Sequence, residues 1–88
     1  MYYVYLLKSQ SYPKQLYVGS TRNLQQRFKE HNEGRSSHTA KFRPWTLIGY
    51  VAFAEEWTAI AFEKYLKSGS GRAFIRRHFL SIERPRGA

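Results

Sequence analysis

The chain has 88 residues, the length of one small domain, and its lack of cysteine excludes disulfide bonds and thiolate zinc sites. Fifteen Lys and Arg residues against six Asp and Glu give a net charge of +9, which favours a polyanionic partner, most commonly nucleic acid. The apolar N-terminal run is too short for a signal peptide or a membrane span, so we expect a cytoplasmic protein with no membrane partner.

Two strands are predicted at the start of the chain. Residues 2–9, YYVYLLKS, and residues 15–20, QLYVGS, are rich in aromatic and β-branched residues and show no helical period. Their short connection predicts an antiparallel hairpin. Alternation along the first strand places Tyr3 and Tyr5 on one face, where a phenol can approach Tyr17 of the second strand.

The first helix is predicted to begin after Asn23 and to end at Gly34. Asn23 followed three residues later by Gln26 matches a reciprocal capping box, and glycine is common just past a helix end. Residues 34–45, GRSSHTAKFRPW, are expected to form a basic loop too polar to pack.

A third strand, a second helix and a last basic helix complete the predicted order. They cover residues 46–53, 55–68 and 72–82, with the GSG at residues 69–71 closing the second helix. The order β-β-α-β-α-α predicts an α+β domain, with a three-stranded antiparallel sheet flanked by helices. We expect this domain to span residues 1–82 and residues 83–88 to form a flexible basic tail.

Charged side chains lie on helix faces that should point to the core. Arg27 and His31 share a face of the first helix with Leu24 and Phe28, and Glu63 interrupts the apolar stripe of the second. Burying an unpaired charge is costly, so each group needs a partner, an ion or a water-filled cleft. Three alternatives stay open: an internal ion pair of Arg27 with Glu63, a surface pair of Glu63 with the Lys four residues on, and a functional cleft.

An ordered set of motifs resembles the GIY-YIG nuclease domain. The set is Tyr3-Val4-Tyr5, Tyr17-Val18-Gly19, Arg27 and His31 in one helix, and Glu63 in the next, and it spans the chain from Tyr3 to about Phe79. The family includes homing endonucleases, some restriction enzymes and nucleases of excision repair and branched DNA, and this chain is most similar to its small stand-alone bacterial members. The fold that the resemblance implies agrees with the predicted order of elements.

The resemblance also implies a role for each motif residue. Tyr5 and Tyr17 would border the scissile phosphate, with Tyr5 favoured as the general base, helped by His31. Arg27 would bind the phosphate through its planar fork. Glu63 would hold a single divalent cation, Mg²⁺ or Mn²⁺. The inward-pointing charged groups would then line the floor of an open catalytic cleft.

Three positions depart from the family's pattern. Tyr3 stands where the motif has glycine, and Ser20 stands where the repair branch usually carries lysine. The asparagine that many members carry after the metal-binding glutamate has no clear counterpart, and Ser68 or Ser70 is the candidate replacement.

Further residues are predicted to contact nucleic acid. Gly19 would let the backbone approach the substrate closely, and the remaining candidates are polar or basic side chains near the motifs or in the last helix. For the arginines of the last helix, a solvated basic face is the alternative. The predicted set is Gly19, Ser20, Arg22, His38, Lys41, Arg43, Arg72, Arg76 and Arg77.

The function predicted from this sequence is metal-dependent hydrolysis of phosphodiester bonds in DNA. We expect an endonuclease of the bacterial cytoplasm that is selective for DNA structure rather than sequence and acts in repair or recombination. The alternatives are a non-catalytic nucleic-acid-binding module on the same scaffold and an RNA-directed role. Branched or damaged DNA, a partner protein and any oligomeric state are all compatible with the chain.

Overall fold

Three strands, three α-helices and one short 3₁₀ helix make up the part of the chain that the computed structural model describes, residues 1–80. The α+β class and the order β-β-α-β-α-α are confirmed, whereas the predicted domain end at residue 82 and the tail 83–88 lie outside the described residues. No helix within residues 1–80 is both long and apolar enough to cross a membrane. In chain order the elements are β1 (Tyr2–Ser9), β2 (Leu16–Thr21), α1 (Leu24–Glu33), a 3₁₀ helix (Ala40–Phe42), β3 (Trp45–Phe53), α2 (Glu56–Leu66) and α3 (Gly69–His78).

The sheet is antiparallel with β1 at its centre, in the order β2-β1-β3. Helices cover both faces, which explains why β1 is apolar on both sides. One face of β1, with Val4 and Leu6, packs in a core with α2 and α3. The other face, with Tyr5 and Leu7, packs against α1 and the segment that leads to β3.

The cap of α1 differs from the predicted capping box in one half. Asn23 Oδ1 accepts the Gln26 backbone N–H at 3.1 Å, as expected of an N-cap. The Gln26 side chain instead donates to Glu30, and Thr21 Oγ1 accepts the Asn23 N–H. The prediction of a reciprocal bond from the Gln26 side chain was therefore wrong, because Thr21 already accepts the Asn23 N–H. Gly34 ends the helix with a left-handed φ of 79°.

The segment between α1 and β3 is packed, so the prediction of a loop too polar to pack was wrong. Thr39 and Trp45 are both buried. Trp45 Nε1 donates to the Thr39 carbonyl at 3.0 Å, and Ser9 Oγ of β1 donates to the Phe42 carbonyl at 2.6 Å. These bonds satisfy the polar groups that the segment carries into the interior.

Helix α3 begins three residues before its predicted start, because the GSG segment forms its first turn. Ser68 is the N-cap, and its hydroxyl accepts the Gly71 N–H at 3.2 Å. Gly71 is buried against the end of α2, where a Cβ would collide with the Tyr65 carbonyl oxygen and the Leu66 Cα. A glycine is required here for the close approach of the two helices.

Candidate active site

A buried hydrogen bond joins the tyrosine of the first motif to the histidine of α1. The Tyr5 hydroxyl lies 2.8 Å from His31 Nε2, and the two side chains are 1% and 0% exposed. Tyr5 comes from the central strand and His31 from the last turn of α1, on the helix face that the periodicity predicted would point inward. The two residues predicted to act together in proton transfer are thus in direct contact.

A third buried group, Thr39, completes this hydrogen-bonded chain. Its Oγ1 lies 2.8 Å from His31 Nδ1 and donates to the Ser36 carbonyl at 3.4 Å. Because that donation uses the hydroxyl proton, Thr39 Oγ1 accepts from His31 Nδ1–H, and His31 Nε2 accepts the Tyr5 O–H. In this arrangement the imidazole is neutral, and every polar atom of the three side chains has a partner.

Tyr17 and Gly19 of β2 flank the pair from the neighbouring strand. The Tyr17 ring centroid lies 4.9 Å from that of His31 and 6.2 Å from that of Tyr5, so the predicted convergence of two phenols is observed. Gly19 pairs with Tyr5 across the sheet, and a Cβ on it would meet the Tyr5 hydroxyl at 2.5 Å. The space beside this glycine is therefore taken by a phenol of the site itself.

Arg27 lies at the solvent side of the same cluster, with its side chain 34% exposed. It forms an ion pair with Glu30 on its own helix, with Nη1 3.2 Å from Oε1, so the internal Arg27–Glu63 pair is not formed. A partly exposed pair on one helix stabilises the protein little, so the guanidinium is easily turned toward another anion.

Glu63 of α2 lies at the edge strand β2, near enough for its charge to contribute to the raised pKa of Tyr5. One carboxylate oxygen accepts from the Ser20 hydroxyl at 2.8 Å, and the other lies 3.0 Å from Lys67 Nζ. The surface pair with Lys67 considered in the sequence is thus present. Ser20 stands where lysine is usual in the repair branch, and it holds the carboxylate as a neutral donor.

The carboxylate of Glu63 fits a hydrated cation. Residues 1–80 contain no cluster of three or more His, Cys, Asp or Glu side chains that would enclose a metal ion. Mg²⁺, however, keeps several waters and is commonly held by one or two carboxylates plus substrate phosphate. The Glu63 side chain is 22% exposed, and its pair with Lys67 contributes only about 0.5 kcal/mol, so the carboxylate is available to such an ion.

Burial governs the proton affinities of the buried pair. The pKa of Tyr5 is raised to about 12, chiefly because burial disfavours the phenolate and also because Tyr17 is close, while a hydrogen bond with Arg27 opposes the rise. Burial, together with the positive charge of Arg27, lowers the pKa of His31. Both groups are therefore neutral near pH 7.

The expectation of an open cleft floor is thus only partly met. Tyr5 and His31 are enclosed, whereas Tyr17, Arg27 and Glu63 keep contact with solvent. Burial by itself lowers the pKa of Arg27, but its hydrogen bonds to Glu30 and Tyr5 and the two nearby phenols outweigh this and raise it. The arginine is consequently a permanent cation at the entrance to a neutral interior.

Comparison with known sequences decides which family this geometry belongs to. The GIY-YIG catalytic domain matches residues 1–78. The chain belongs to the GIY-YIG family. The resemblance of its motifs is thereby confirmed over most of the chain.

Relatives of this GIY-YIG chain are found among fungal proteins. The chain is 42% identical over 73 residues to the structure-specific endonuclease subunit SLX1 of Debaryomyces hansenii, covering 75% of this chain and 21% of that protein. It is 36% identical over 84 residues to the SLX1 subunit of Candida dubliniensis, covering 88% of this chain and 28% of that protein. The chain therefore spans only 21% to 28% of the length of these relatives.

A solved structure shares the GIY-YIG fold of this chain. The UPF0213 protein BH0048 of Bacillus halodurans, determined by solution NMR, superposes with a TM-score of 0.53 at 26% identity. The match covers 88% of this chain and 84% of that one.

The other residues predicted to contact nucleic acid lie on separate parts of the GIY-YIG domain. Arg22 stacks on the Tyr2 ring at 4.8 Å, next to Ser20 in β2. His38, Lys41 and Arg43 lie exposed on the packed segment that supports His31. The remaining three, all exposed on α3 beyond the sheet, are Arg72, Arg76 and Arg77.

Sequence reasoning missed two groups in this GIY-YIG site. Glu30 was not singled out, although its spacing of three residues from Arg27 could have indicated the ion pair. Thr39 was missed because nothing in its polar surroundings signalled burial. Of the two serines considered as replacements for the family's asparagine, Ser68 is engaged in capping α3.

Proposed function

We propose that this chain is a divalent-metal-dependent endonuclease that hydrolyses phosphodiester bonds in DNA. The observation that carries the proposal is the buried Tyr5–His31 hydrogen bond, with Arg27 at its solvent side and the Glu63 carboxylate held at the adjacent strand edge. A proton acceptor, a phosphate-binding cation and a metal-binding carboxylate are the groups that this hydrolysis needs. Their family is that of a catalytic domain.

Proton transfer follows from the neutral Tyr5–His31 pair. The phenol holds its proton near pH 7, because its pKa is about 12. It accepts a proton from water as its own proton passes to His31 Nε2, which is free to accept because burial keeps the imidazole neutral. The water oxygen then bonds to phosphorus, and the bond from phosphorus to the leaving sugar oxygen breaks. That oxygen takes a proton from solvent water, and His31 returns its extra proton to solvent.

Arg27 binds and stabilises the phosphate beside this pair. Its charge is close enough to Tyr5 to oppose the rise in the pKa of that phenol, and its pair with Glu30 is weak. When the guanidinium turns onto a phosphate, it neutralises the charge that develops there and places the phosphate beside the phenol. Glu63 would hold Mg²⁺ or Mn²⁺, and the bound ion would supply charge neutralisation and a more acidic water.

Branched DNA is the proposed substrate, with a further protein as partner. The fungal relatives are named as subunits of structure-specific endonucleases, and this chain spans a small part of their length. A small, strongly basic domain has little surface for reading a long base sequence, which also favours recognition of shape. A role in DNA repair or recombination, and a place in a bacterial cytoplasm, are parts of this proposal.

A nuclease assay with a matched pair of variants tests the proposal. Supercoiled plasmid and flap, fork and four-way-junction DNA are incubated with Mg²⁺, Mn²⁺ or EDTA. We expect cutting that needs the metal and falls on the order of 10²–10³-fold in Glu63→Ala, since metal charge stabilisation amounts to several kcal/mol. The control, Glu33→Ala, removes a surface carboxylate of α1 and should cut like the parent chain.

Each other outcome has a defined meaning. Binding of every DNA without cutting would indicate a non-catalytic nucleic-acid-binding module. Cutting of RNA in preference to DNA would indicate that the substrate is RNA. Equal cutting by Glu63→Ala and the parent chain would show that Glu63 does not hold a catalytic metal.

A further inference from the structure

A groove of about 680 Å³ lies beside the site, between the β1–β2 hairpin and the helices α2 and α3. Lys8 and Lys14 line it from the hairpin side, and Lys67, Arg72 and Arg76 line it from the helix side. No Asp or Glu is among its lining residues within the described part of the chain. Cations on two facing walls, with Lys67 alone paired to a carboxylate at the margin, form a surface complementary to a polyanion.

Apolar side chains also line the groove. Pro13 and Leu16 are exposed there and Tyr17 is half-buried, while the buried Val18, Leu66 and Ile75 lie beneath them. Duplex DNA offers its phosphates to such a groove but keeps its bases stacked inside the helix. A single strand offers both phosphates for the basic walls and unstacked bases for the apolar surface.

The groove is continuous with the candidate active site at two residues. Tyr17 lines the groove and also contacts His31. Lys67 lines the groove and also binds the carboxylate of Glu63. A strand lying in the groove is therefore led toward the edge of β2, where Ser20 holds the carboxylate of Glu63.

We propose that this groove binds a single-stranded arm of the nucleic acid substrate and feeds it to the active site. Its basic walls bind the phosphates, and its apolar surface accepts the bases. The inference rests on the proposed function in taking nucleic acid as the substrate. Lys8 and Lys14, which sequence reasoning did not single out, become binding residues by their place in the fold.

Binding is measured in EDTA, so that the result does not depend on cutting. A fluorescent oligothymidine of about ten nucleotides, within the usual site size for single-strand binders, is titrated at several salt concentrations. The slope of log K against log salt should fall by about 1.4 in the double variant Lys8→Gln/Lys14→Gln, because each phosphate contact on a single strand contributes about 0.7. The control, Lys29→Gln/Lys64→Gln, removes the same charge from exposed positions outside the groove and should leave the slope unchanged.

An abasic oligonucleotide of the same length tests the contact with bases. We expect it to bind on the order of tenfold more weakly than oligothymidine, in line with the energy of base contacts in single-strand binders. Equal affinity for the abasic strand, or for a duplex of the same length, would overturn the assignment to a single strand. Equal salt slopes for the two double variants would show that the groove does not bind the strand. Displacement of the strand by an acidic peptide of equal charge would assign the groove to a protein partner.

These results separate the groove from the proposed catalysis. Loss of binding in Lys8→Gln/Lys14→Gln with no nuclease activity in any metal would support the groove and overturn the enzyme. Metal-dependent cutting with unchanged binding in the double variant would support the enzyme and overturn the groove.

Discussion

Tyr5, His31 and Thr39 form a neutral polar chain in the smaller of the two cores. Such a chain is stable only while every member keeps its partner, because an unpaired polar group in the interior costs more than a good hydrogen bond contributes. Its stability is therefore sensitive both to the proton on His31 and to the hydroxyl of Thr39.

Acid should destabilise the fold through His31. Burial lowers its pKa in the folded chain below the value of about 6.5 expected in the unfolded chain. Between these two pKa values only the unfolded chain binds the proton. The contribution of the neutral imidazole to the free energy of unfolding is therefore complete above about pH 6.5 and is lost as the pH falls through the folded pKa. Urea unfolding from pH 8 to pH 5 should show this fall in the parent chain and in His38→Gln, whose histidine is exposed.

The same titration of His31→Gln isolates the contribution of the buried imidazole. This variant should be less stable at neutral pH and should lack most of the decline just below pH 6.5. An identical decline in His31→Gln and the parent chain would show that another group carries it.

Removing the hydroxyl of Thr39 should leave His31 Nδ1–H without an acceptor. We expect Thr39→Val to lower the free energy of unfolding by about 1–3 kcal/mol, since valine keeps the shape but cannot accept the bond. Thr39→Ser keeps the hydroxyl and should lose less than about 1 kcal/mol, the contribution of one buried methyl group. Equal losses in urea unfolding would mean that the methyl group, not the hydrogen bond, stabilises this position.

At the scale of elements, the contact between α2 and α3 depends on one glycine. A Cβ at position 71 would collide with backbone atoms of α2, which cannot move aside as a side chain can, whereas a Cβ at position 69 would meet nothing within 4 Å. Both glycines lie in the first turn of α3. The two positions thus differ in packing but share their backbone environment.

This pair gives a matched test by thermal or urea unfolding. Gly71→Ala should lose about 1–3 kcal/mol or more, the usual cost of overpacking a closed site. Gly69→Ala should be neutral or gain up to about 1 kcal/mol, because alanine restricts the unfolded chain more than glycine does. Comparable stability of the two variants would show that α3 is not held against α2 at Gly71.

Periodicity in the sequence predicted most elements because their own residues carry the signal. The alternation of YYVYLLKS and the Asn23 and Gly34 caps place β1 and α1 almost where the structure has them. The GSG turn of α3 escaped prediction because glycine is a poor helix former, and the reason for Gly71 lies in another helix. The packed segment before β3 escaped for the same kind of reason, since Thr39 is buried by His31 and Trp45 rather than by its neighbours.

For the molecule as a whole, the candidate site combines residues from both faces of the sheet. Tyr5, Tyr17 and His31 lie on the α1 side of the sheet. Glu63 belongs to α2, which packs on the other side, and lies at the edge strand β2. Helix periodicity identified Arg27 and Glu63 as out of place on their faces. It offered the Glu63–Lys67 pair as one alternative but could not choose between it and a pair of Glu63 with Arg27, because that choice depends on how the elements pack.

The central position of β1 has a consequence for the order of folding. Its pairing with β2 closes a short hairpin, whereas its pairing with β3 must enclose β2, α1 and the packed segment, at a larger loop entropy. Val18→Ala on β2 should therefore mainly slow folding, and Val51→Ala on β3 should mainly speed unfolding. Stopped-flow kinetics in urea would contradict this order if the two effects were reversed.

In this order of events, Tyr5 and Tyr17 meet while the sheet has only two strands. Trp45, at the start of β3, then arrives against Tyr17 and brings with it the Thr39 carbonyl that its indole binds. The half of the site that holds the two phenols is a product of local folding, and the half that orients the imidazole depends on the last and most distant strand.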